Sequence, residues 1–409
     1  MLVAGAATSQ GQDFFELPPI HYSATASKDK VALLARKIEE GKWNGGSAGV
    51  LKFLKALLDE LDVPEESQVL VFSKTSLQNS LISHDHPRAI YFSMDTYVGW
   101  VPGGKIEVIA MDDNLGPVFY TIDPPVGSTP PRVVRATDSC LQCHATSRTS
   151  GVPGMFVRSV VPDKNGHPVL SAGTSLVTDH TPLRERWGGW YVSGTTDEGH
   201  LGNRWLAEGE ETGLAPRASS LANLSSLIDT RKYLRPTSDV VALMVLEHQC
   251  HTHNLMTKAK MTYERAVYFQ KSYSDTDLDS EKGMAWKTAD SSAKEIVEAF
   301  LFRGEIDLGG NGVEGSEDFV EMFEGRGMGS KTGKKLREFR LYGRLFRYRC
   351  SYMIHSTAFR ILPDAVKERV FHHLRQALND AEAGEMSQRE RGVIRSILEE
   401  TVPGFKKES

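Results

Sequence analysis

Apolar residues recur at helical spacing in two segments near the N-terminus. In residues 28–40 they are Val31, Leu34, Ala35 and Ile38, and in residues 50–61 they are the leucines at 51, 54, 57, 58 and 61. Steps of three and four residues place these side chains on one face of an α-helix. A glycine-rich stretch, 41–49, separates the two segments, and Pro64 follows the second. The pattern predicts a pair of packed helices.

From residue 68 the apolar pattern changes to short runs rich in β-branched and aromatic residues. Turn-forming sequences such as Pro102-Gly103-Gly104 and Asp112-Asp113-Asn114 separate these runs. Short apolar runs bounded by turns are typical of antiparallel strands. Strands are predicted over 69–72, 89–92, 97–100, 106–109 and 118–122, with a second set over 156–161, 169–170 and 190–192.

The second half of the chain returns to helical periodicity after a stretch without any. Residues 194–236 are rich in Gly, Thr, Glu and Ser, which is typical of a connecting segment. Apolar positions then recur at helical spacing. Helices are predicted over 238–273, 280–302, 347–360, 364–382 and 387–400, with one short helix over 317–323 inside a glycine-rich loop.

These elements predict an α+β fold: an N-terminal helical pair and an antiparallel sheet, followed by a mostly α-helical domain. The predicted division is 1–12 as a signal-peptide remnant, 13–195 as the α+β domain, 196–236 as a linker and 237–403 as the helical domain. A chain of 409 residues is long enough for two or three such units.

Composition narrows the classes of partner. Hydrophobic residues make up 40% of the chain and charged residues 25%, as in ordinary globular proteins. With 48 Lys and Arg against 53 Asp and Glu, the net charge of −5 provides no overall positive field for phosphates, so we expect no nucleic acid partner. No apolar run approaches the roughly 18 residues of a membrane-spanning helix, so we expect no such segment.

The most specific chemical feature is Cys140-Leu141-Gln142-Cys143-His144. In this motif two thiols three residues apart bind the vinyl groups of haem, and the adjacent imidazole becomes an axial ligand of the iron. We therefore predict that residues 13–195 bind one covalent haem c through Cys140 and Cys143, with His144 as the proximal ligand. Two alternatives stay open: half of a zinc site, which needs two further ligands, and a thioredoxin-like pair, which needs a following helix.

Haem attachment of this kind takes place outside the cytoplasm, and the first residues agree with export. Met1–Gln10 are apolar and small, like the end of a signal peptide before its cleavage site, although a positively charged start is missing. We expect a periplasmic or otherwise exported protein whose signal peptide is incomplete in this sequence.

Beyond this motif, the chain resembles a family of uncharacterised bacterial exported c-type cytochrome-domain proteins that carry a single haem. The resemblance implies haem c and export, and it implies no particular reaction. It is carried by residues 88–92, 97–100, 115–120, 140–144, 151–154, 178–180 and 186–191, and in the second half by 246–249 and 345–348.

The second axial ligand of the iron is the main open question. The richest cluster of donors is His248-Gln249-Cys250-His251-Thr252-His253, inside the predicted helix 238–273. Helical steps of three and four place His248 and His251 on one mostly apolar stripe, so both are candidate iron ligands. The alternative is that these histidines bond backbone carbonyls or carboxylates. Met155, twelve residues after Cys143, is a further candidate.

Two more features concern the surroundings of the haem. Arg132, Arg135, Arg148 and Arg158 lie near the motif in sequence, and at least one of them is expected to bind a haem propionate. Cys250 and Cys350 are compatible with a disulfide in an oxidising compartment or with two separate buried thiols.

The leading functional hypothesis is an exported monohaem cytochrome that transfers single electrons to a redox partner protein. A minimal carrier needs only about 100 residues, so the remaining chain leaves room for other roles. The alternatives are a peroxidase-like haem enzyme, or a haem-based redox or gas sensor, with His248 or His251 on the distal side. Whether the protein is an enzyme stays open at this level.

Overall fold

The computed structural model describes residues 13–46, 49–208, 213–274, 276–380 and 386–406. Within these ranges the chain is mixed α/β, with nine α-helices, one seven-stranded antiparallel sheet and three smaller sheets. The predicted mixture of helices and antiparallel sheet is thereby confirmed. The predicted signal-peptide remnant, residues 1–12, lies outside the described residues.

Most predicted helices are present within a few residues of their expected bounds. The helix predicted over 347–360 is wrong. Ser351 and Ser356 accept hydrogen bonds from the backbone amides of Met353 and Phe359, and these local bonds favour two short helical turns over one continuous helix. The helices are α1 Lys30–Glu39, α2 Val50–Glu60, α3 Asp138–His144, α4 Val240–Tyr273, α5 Met284–Phe300, α6 Glu317–Gly325, α7 Thr357–Arg360, α8 Asp364–Asn379 and α9 Gln388–Thr401.

The large sheet has the strand order β6-β5-β4-β3-β2-β1-β9, so the first six strands form a meander and the late strand β9 pairs with β1. The strands are β1 Val69–Val71, β2 Arg88–Phe92, β3 Thr96–Trp100, β4 Ile106–Asp112, β5 Gly116–Asp123, β6 Arg132–Arg135, β7 Val157–Val160, β8 Thr174–Val177, β9 Trp190–Tyr191, β10 Gly194–His200, β11 Arg217–Leu221, β12 Val313–Glu314, β13 Phe339–Tyr342 and β14 Arg344–Phe346. The strand predicted at 169–170 is wrong, since Leu170–Ala172 form a 3-10 turn and β8 pairs with β7 instead.

The two faces of the large sheet are covered by different parts of the chain. Side chains alternate between the faces along each strand. On one face Tyr91 and Val98 belong to the apolar core that includes Leu54 and Leu57 of α2. On the other face Val71 and Tyr97 belong to a second core, which continues through α4 into the C-terminal helices. The helical pair therefore closes one face and α4 lies on the other.

The segment expected to be a linker, 196–236, is structured. It contains most of β10 and all of β11, which pair with each other, and β10 also pairs with β12. The segment's end is fixed to the large sheet, because the Gln68 side chain donates to the carbonyls of Arg235 and Thr237 at 2.7 and 2.8 Å. Both strands are rich in polar residues and lack the apolar alternation that sequence patterns detect, so periodicity does not predict them. No helix in the described part of the chain has both the length and the apolarity to cross a membrane.

Candidate cofactor site

The Cys-x-x-Cys-His motif forms α3, a helix of two turns between β6 and β7. Cys140 is partly buried and Cys143 is exposed, and both are free thiols. Together with His144 they line one cavity, which contains about 1320 Å³ of empty space including solvent at its mouth. The structure therefore brings the three predicted haem-binding residues together on one wall of an open cavity.

The α4-facing side of the large sheet also lines the cavity. Alternate residues of β2 and β3 reach it, as expected for side chains on one face, and β4 contributes three consecutive residues, Glu107, Val108 and Ile109. The lining is mostly apolar with a few polar groups, which is the usual composition of a cofactor site. The sheet contributes Val71, Arg88, Ile90, Tyr97, Gly99, Glu107, Val108, Ile109, Phe119, Tyr120 and Trp190, and other segments contribute Leu77, Ile82, Met155, Phe156, Val157, Leu246 and Cys250.

His144 is oriented by a backbone carbonyl. Its Nδ1 lies 2.9 Å from the carbonyl oxygen of Gly154, and its ring packs between Phe119 and Phe156 at centroid distances of 5.2 and 5.4 Å. A proton on Nδ1 leaves Nε2 as the unprotonated nitrogen, the arrangement in which histidine binds a metal. Burial lowers the pKa of the His144 ring, so the imidazole is neutral at neutral pH.

An ion pair crosses the sheet wall of the cavity. Arg88 on β2 reaches over Gly99 on β3 to pair with Glu107 on β4, and both charged side chains are mostly buried. Two buried polar atoms of lining residues, Nε of Arg88 and Oγ of Ser73, have no hydrogen-bond partner among the described residues. Unsatisfied buried polar atoms are rare in folded proteins, so they fit a cavity that holds a ligand with polar groups.

Two of the four arginines expected near a haem propionate line the cavity. Arg148 and Arg158 both do so, and Nε of Arg158 donates to Thr174 Oγ1 at 2.7 Å. Burial and the neighbouring charge of Arg148 lower the pKa of the Arg158 guanidinium. Two mutually repelling cations favour a carboxylate between or beside them. Arg135 instead donates to the backbone of Tyr22 and Thr25, and Arg132 is exposed on β6.

The structure does not bring His248 or His251 to the cavity. Both ring nitrogens of His248 are occupied, Nδ1 by Asp179 Oδ2 at 2.8 Å and Nε2 by Ser351 Oγ at 2.6 Å. His251 is largely buried beside this pair, and burial lowers the pKa of its ring. The expectation that these histidines lie over the distal face therefore receives no support from their placement, and the alternative of hydrogen-bonded core histidines describes His248.

The Asp179-His248-Ser351 series has the hydrogen-bond order of a hydrolase triad, and its members come from three distant segments. All three side chains are buried, and the ring of Phe302 stacks on His248 at 4.4 Å. None of the three lines the cavity. Without access for a substrate, the series acts as a polar tie between α4 and its neighbours.

Other side chains with donor atoms do line the cavity, namely Met155, Tyr97 and Cys250. Met155 is one of the ligand candidates predicted from the sequence. Cys250 lies one turn after Leu246 on the same face of α4, and only the packing of that face against the cavity reveals its position. Cys250 and Cys350 are separate buried thiols with no disulfide between them. The described ranges contain no cluster of three His, Cys, Asp or Glu side chains able to hold a metal ion, so the zinc alternative gains no further ligand there.

Several residues of the site carry no local sequence signal. Arg88, Gly99 and Glu107 look like ordinary strand residues, and only the pairing of β2, β3 and β4 places them together. Comparisons with protein-family profiles, with curated proteins and with solved structures each return no match to this chain.

Proposed function

We propose that this protein is a c-type cytochrome with one haem bound through thioethers to Cys140 and Cys143 and with His144 as the proximal iron ligand. The observation that carries the proposal is the hydrogen bond from His144 Nδ1 to the Gly154 carbonyl, beside two free thiols on the same cavity wall. Bound haem would supply a one-electron iron couple. The resemblance to single-haem cytochrome-domain proteins supports the same conclusion.

The chain's own residues have distinct parts in this site. His144 presents Nε2 to the iron, and the Gly154 carbonyl keeps the ring in that tautomer. Arg148 and Arg158 would bind the propionates, and the apolar side chains of the sheet that line the cavity would keep water from the bound haem. Thioether formation takes place outside the cytoplasm and needs both thiols in the reduced state. The proposal therefore includes a periplasmic or otherwise exported location.

Electron transfer with a partner protein is the role that the site supports best. Cys143 is exposed, so a haem edge attached there would lie close to solvent, where a redox partner can approach. The peroxidase-like alternative needs an acid/base histidine above the iron, and neither His248 nor His251 reaches the cavity. A sensor role is the second candidate, because α4 contributes Leu246 and Cys250 to the cavity and continues into the helical core.

The visible spectrum of the haem-loaded protein tests the role. Full-length protein is exported with an added signal peptide in a host that attaches haem c, then reduced and exposed to carbon monoxide. Electron transfer predicts sharp, split bands that carbon monoxide leaves unchanged, because both axial positions are then held by strong ligands. High-spin bands and rapid carbon monoxide binding would contradict electron transfer and support the sensor.

A further inference from the structure

The loop after the Cys-x-x-Cys-His motif is held by one side chain of α4. Asn254, which is 7% exposed, bonds both backbone groups of Met155. Its Oδ1 accepts from the Met155 amide at 2.9 Å, and its Nδ2 donates to the Met155 carbonyl at 2.6 Å. A buried amide that satisfies both groups of one residue fixes the position and direction of that backbone.

The two bonds from Asn254 to Met155 form a backbone clamp. Gly154, the residue before Met155, is the hydrogen-bond acceptor of His144. Gly154 accepts from His144 Nδ1 at 2.9 Å, and its own amide donates to the His144 carbonyl at 2.8 Å. A Cβ on Gly154 would overlap Asn254 Oδ1 and lie 3.0 Å from Thr149 Cβ, so the loop packs closely against the clamp. An unbroken series of contacts therefore runs from Asn254 through the loop backbone to the His144 ring.

The same stripe of α4 also faces the cavity. Leu246 and Cys250 line it, and Asn254 follows after one more step of four residues. His248 lies on the other side of α4, where it is hydrogen-bonded to Asp179 and Ser351 from other segments. The position of α4 therefore bears on both the cavity wall and the loop that orients His144.

We propose that Asn254 is a positioning residue for the His144 imidazole and that, through it, α4 couples the helical core to the haem. This inference rests on the proposed haem site. The hydrogen bond donated by Nδ1 adds electron density to the imidazole and stabilises oxidised iron. Replacing Asn254 loosens the loop and weakens that bond, so the reduction potential rises.

The size of the effect follows from outer-shell partners of metal-bound histidines, whose loss changes metal affinity about 10- to 100-fold. A tenfold loss confined to the oxidised state raises the potential by about 59 mV, the one-electron equivalent of a factor of ten. Asn254→Ala removes both bonds to Met155. Asn254→Leu removes the same two bonds without adding a charge and keeps the side-chain volume, so a shift shared with Asn254→Ala comes from the lost bonds.

The matched control is Thr262→Ala, a polar change on the same helix. Among the described residues, the Thr262 hydroxyl bonds only backbone carbonyls of α4, at 2.7 and 3.3 Å, and none of the loop after the motif. Full-length wild type, Asn254→Ala, Asn254→Leu and Thr262→Ala are titrated for reduction potential, and the electron paramagnetic resonance of the oxidised iron reports the geometry of His144. We expect a rise of the potential and a changed spectrum in both Asn254→Ala and Asn254→Leu, and no change in Thr262→Ala. Equal potentials and spectra in wild type and Asn254→Ala would overturn the inference.

Amide hydrogen exchange of the full-length chain made without haem attachment separates this inference from the haem proposal. Loss of the acceptor on Asn254 should speed exchange of the Met155 amide by about fivefold, the factor that corresponds to one net hydrogen bond, while Thr262→Ala leaves it unchanged. Unchanged exchange in Asn254→Ala would refute the clamp even if haem binds. Faster exchange in a chain that never binds haem would confirm the clamp and remove its proposed purpose. If Asn254→Ala fails to fold, Asn254→Leu, which also removes the acceptor but keeps the side-chain volume, gives the same comparison.

Discussion

The Arg88 guanidinium occupies the space that a side chain at position 99 would need. Gly99 sits in the middle of β3, and the nearest atoms to a methyl group added there all belong to the Arg88 guanidinium, with Cζ at 2.6 Å and Nε at 2.9 Å. Arg88 and Glu107 are 20% and 17% exposed. Gly99→Ala therefore pushes the guanidinium away from its carboxylate partner.

The cost follows from the geometry. Restoring an ordinary contact of 3.4 Å from 2.6 Å moves Cζ by at least 0.8 Å. Overpacking of this kind costs about 1–3 kcal/mol. The pair is mostly buried, so the loss of contact with Glu107 falls between the near-zero value of a surface pair and the roughly 3–5 kcal/mol of a fully buried one. The guanidinium is the end of a flexible side chain that lines the cavity and can move away from the methyl group, so the loss stays near the low end of these ranges. We expect Gly99→Ala to lower the free energy of unfolding by about 1–2 kcal/mol.

Urea unfolding of the haem-free chain measures this loss. Gly392→Ala is the matched control, since a methyl group there meets nothing within 4 Å and a glycine in helix α9 is replaced by a better helix former. The double variant Gly99→Ala, Arg88→Ala removes the clash, so its loss should be smaller than the sum of the two single losses. Full additivity, or a Gly99→Ala protein as stable as wild type, would refute the account of this wall.

The remaining predictions concern three other parts of the molecule. In the wild type the buried Arg186 is paired with Glu247 at 2.7 Å, and Glu247→Gln removes that charge partner. The variant should lower the free energy of unfolding in urea by about 3–5 kcal/mol. A loss below about 1 kcal/mol would show that the pair is not isolated from water. Burial lowers the pKa of His253 to about 3, so the unfolded chain binds the extra proton first and stability should fall as pH drops from about 6.5 towards 3. His253→Gln should reduce the difference between the free energies of unfolding measured at pH 7 and pH 5. An unchanged difference would show that other groups cause the pH dependence. Arg148→Gln with Arg158→Gln should lower the reduction potential, because cations near the iron disfavour its oxidised state, while the exposed Arg132→Gln leaves the potential unchanged; equal potentials in both would remove these arginines from the haem site.

The sequence predicts most of the fold where a local pattern is strong. Helix α2 and strand β4 show clear apolar periodicity, and both are present close to their expected bounds. Strands β10 and β11 are polar, with several Thr, Ser and Gly residues, and therefore carry no alternating apolar signal. Segment 347–360 has apolar residues at helical spacing, yet serine caps divide it, which periodicity does not reveal.

The site divides in a similar way. Cys140, Cys143 and His144 lie within five consecutive residues, so the sequence alone predicts their chemistry. The partners of His248 lie at residues 179 and 351, and the acceptor of His144 is a backbone carbonyl, so no sequence pattern identifies them. Periodicity correctly gives His248 an inward position in α4, but it does not distinguish a cavity from a neighbouring core. That distinction depends on tertiary packing.

Covalent attachment of haem at Cys140 and Cys143 is the central claim, and the intact mass of the exported full-length protein tests it most directly. After acid and organic extraction, the account predicts a wild-type mass increased by that of one haem and an unmodified mass for Cys140→Ala, Cys143→Ala. A wild-type chain of unmodified mass, obtained from a host that loads a known c-type cytochrome in parallel, would contradict it.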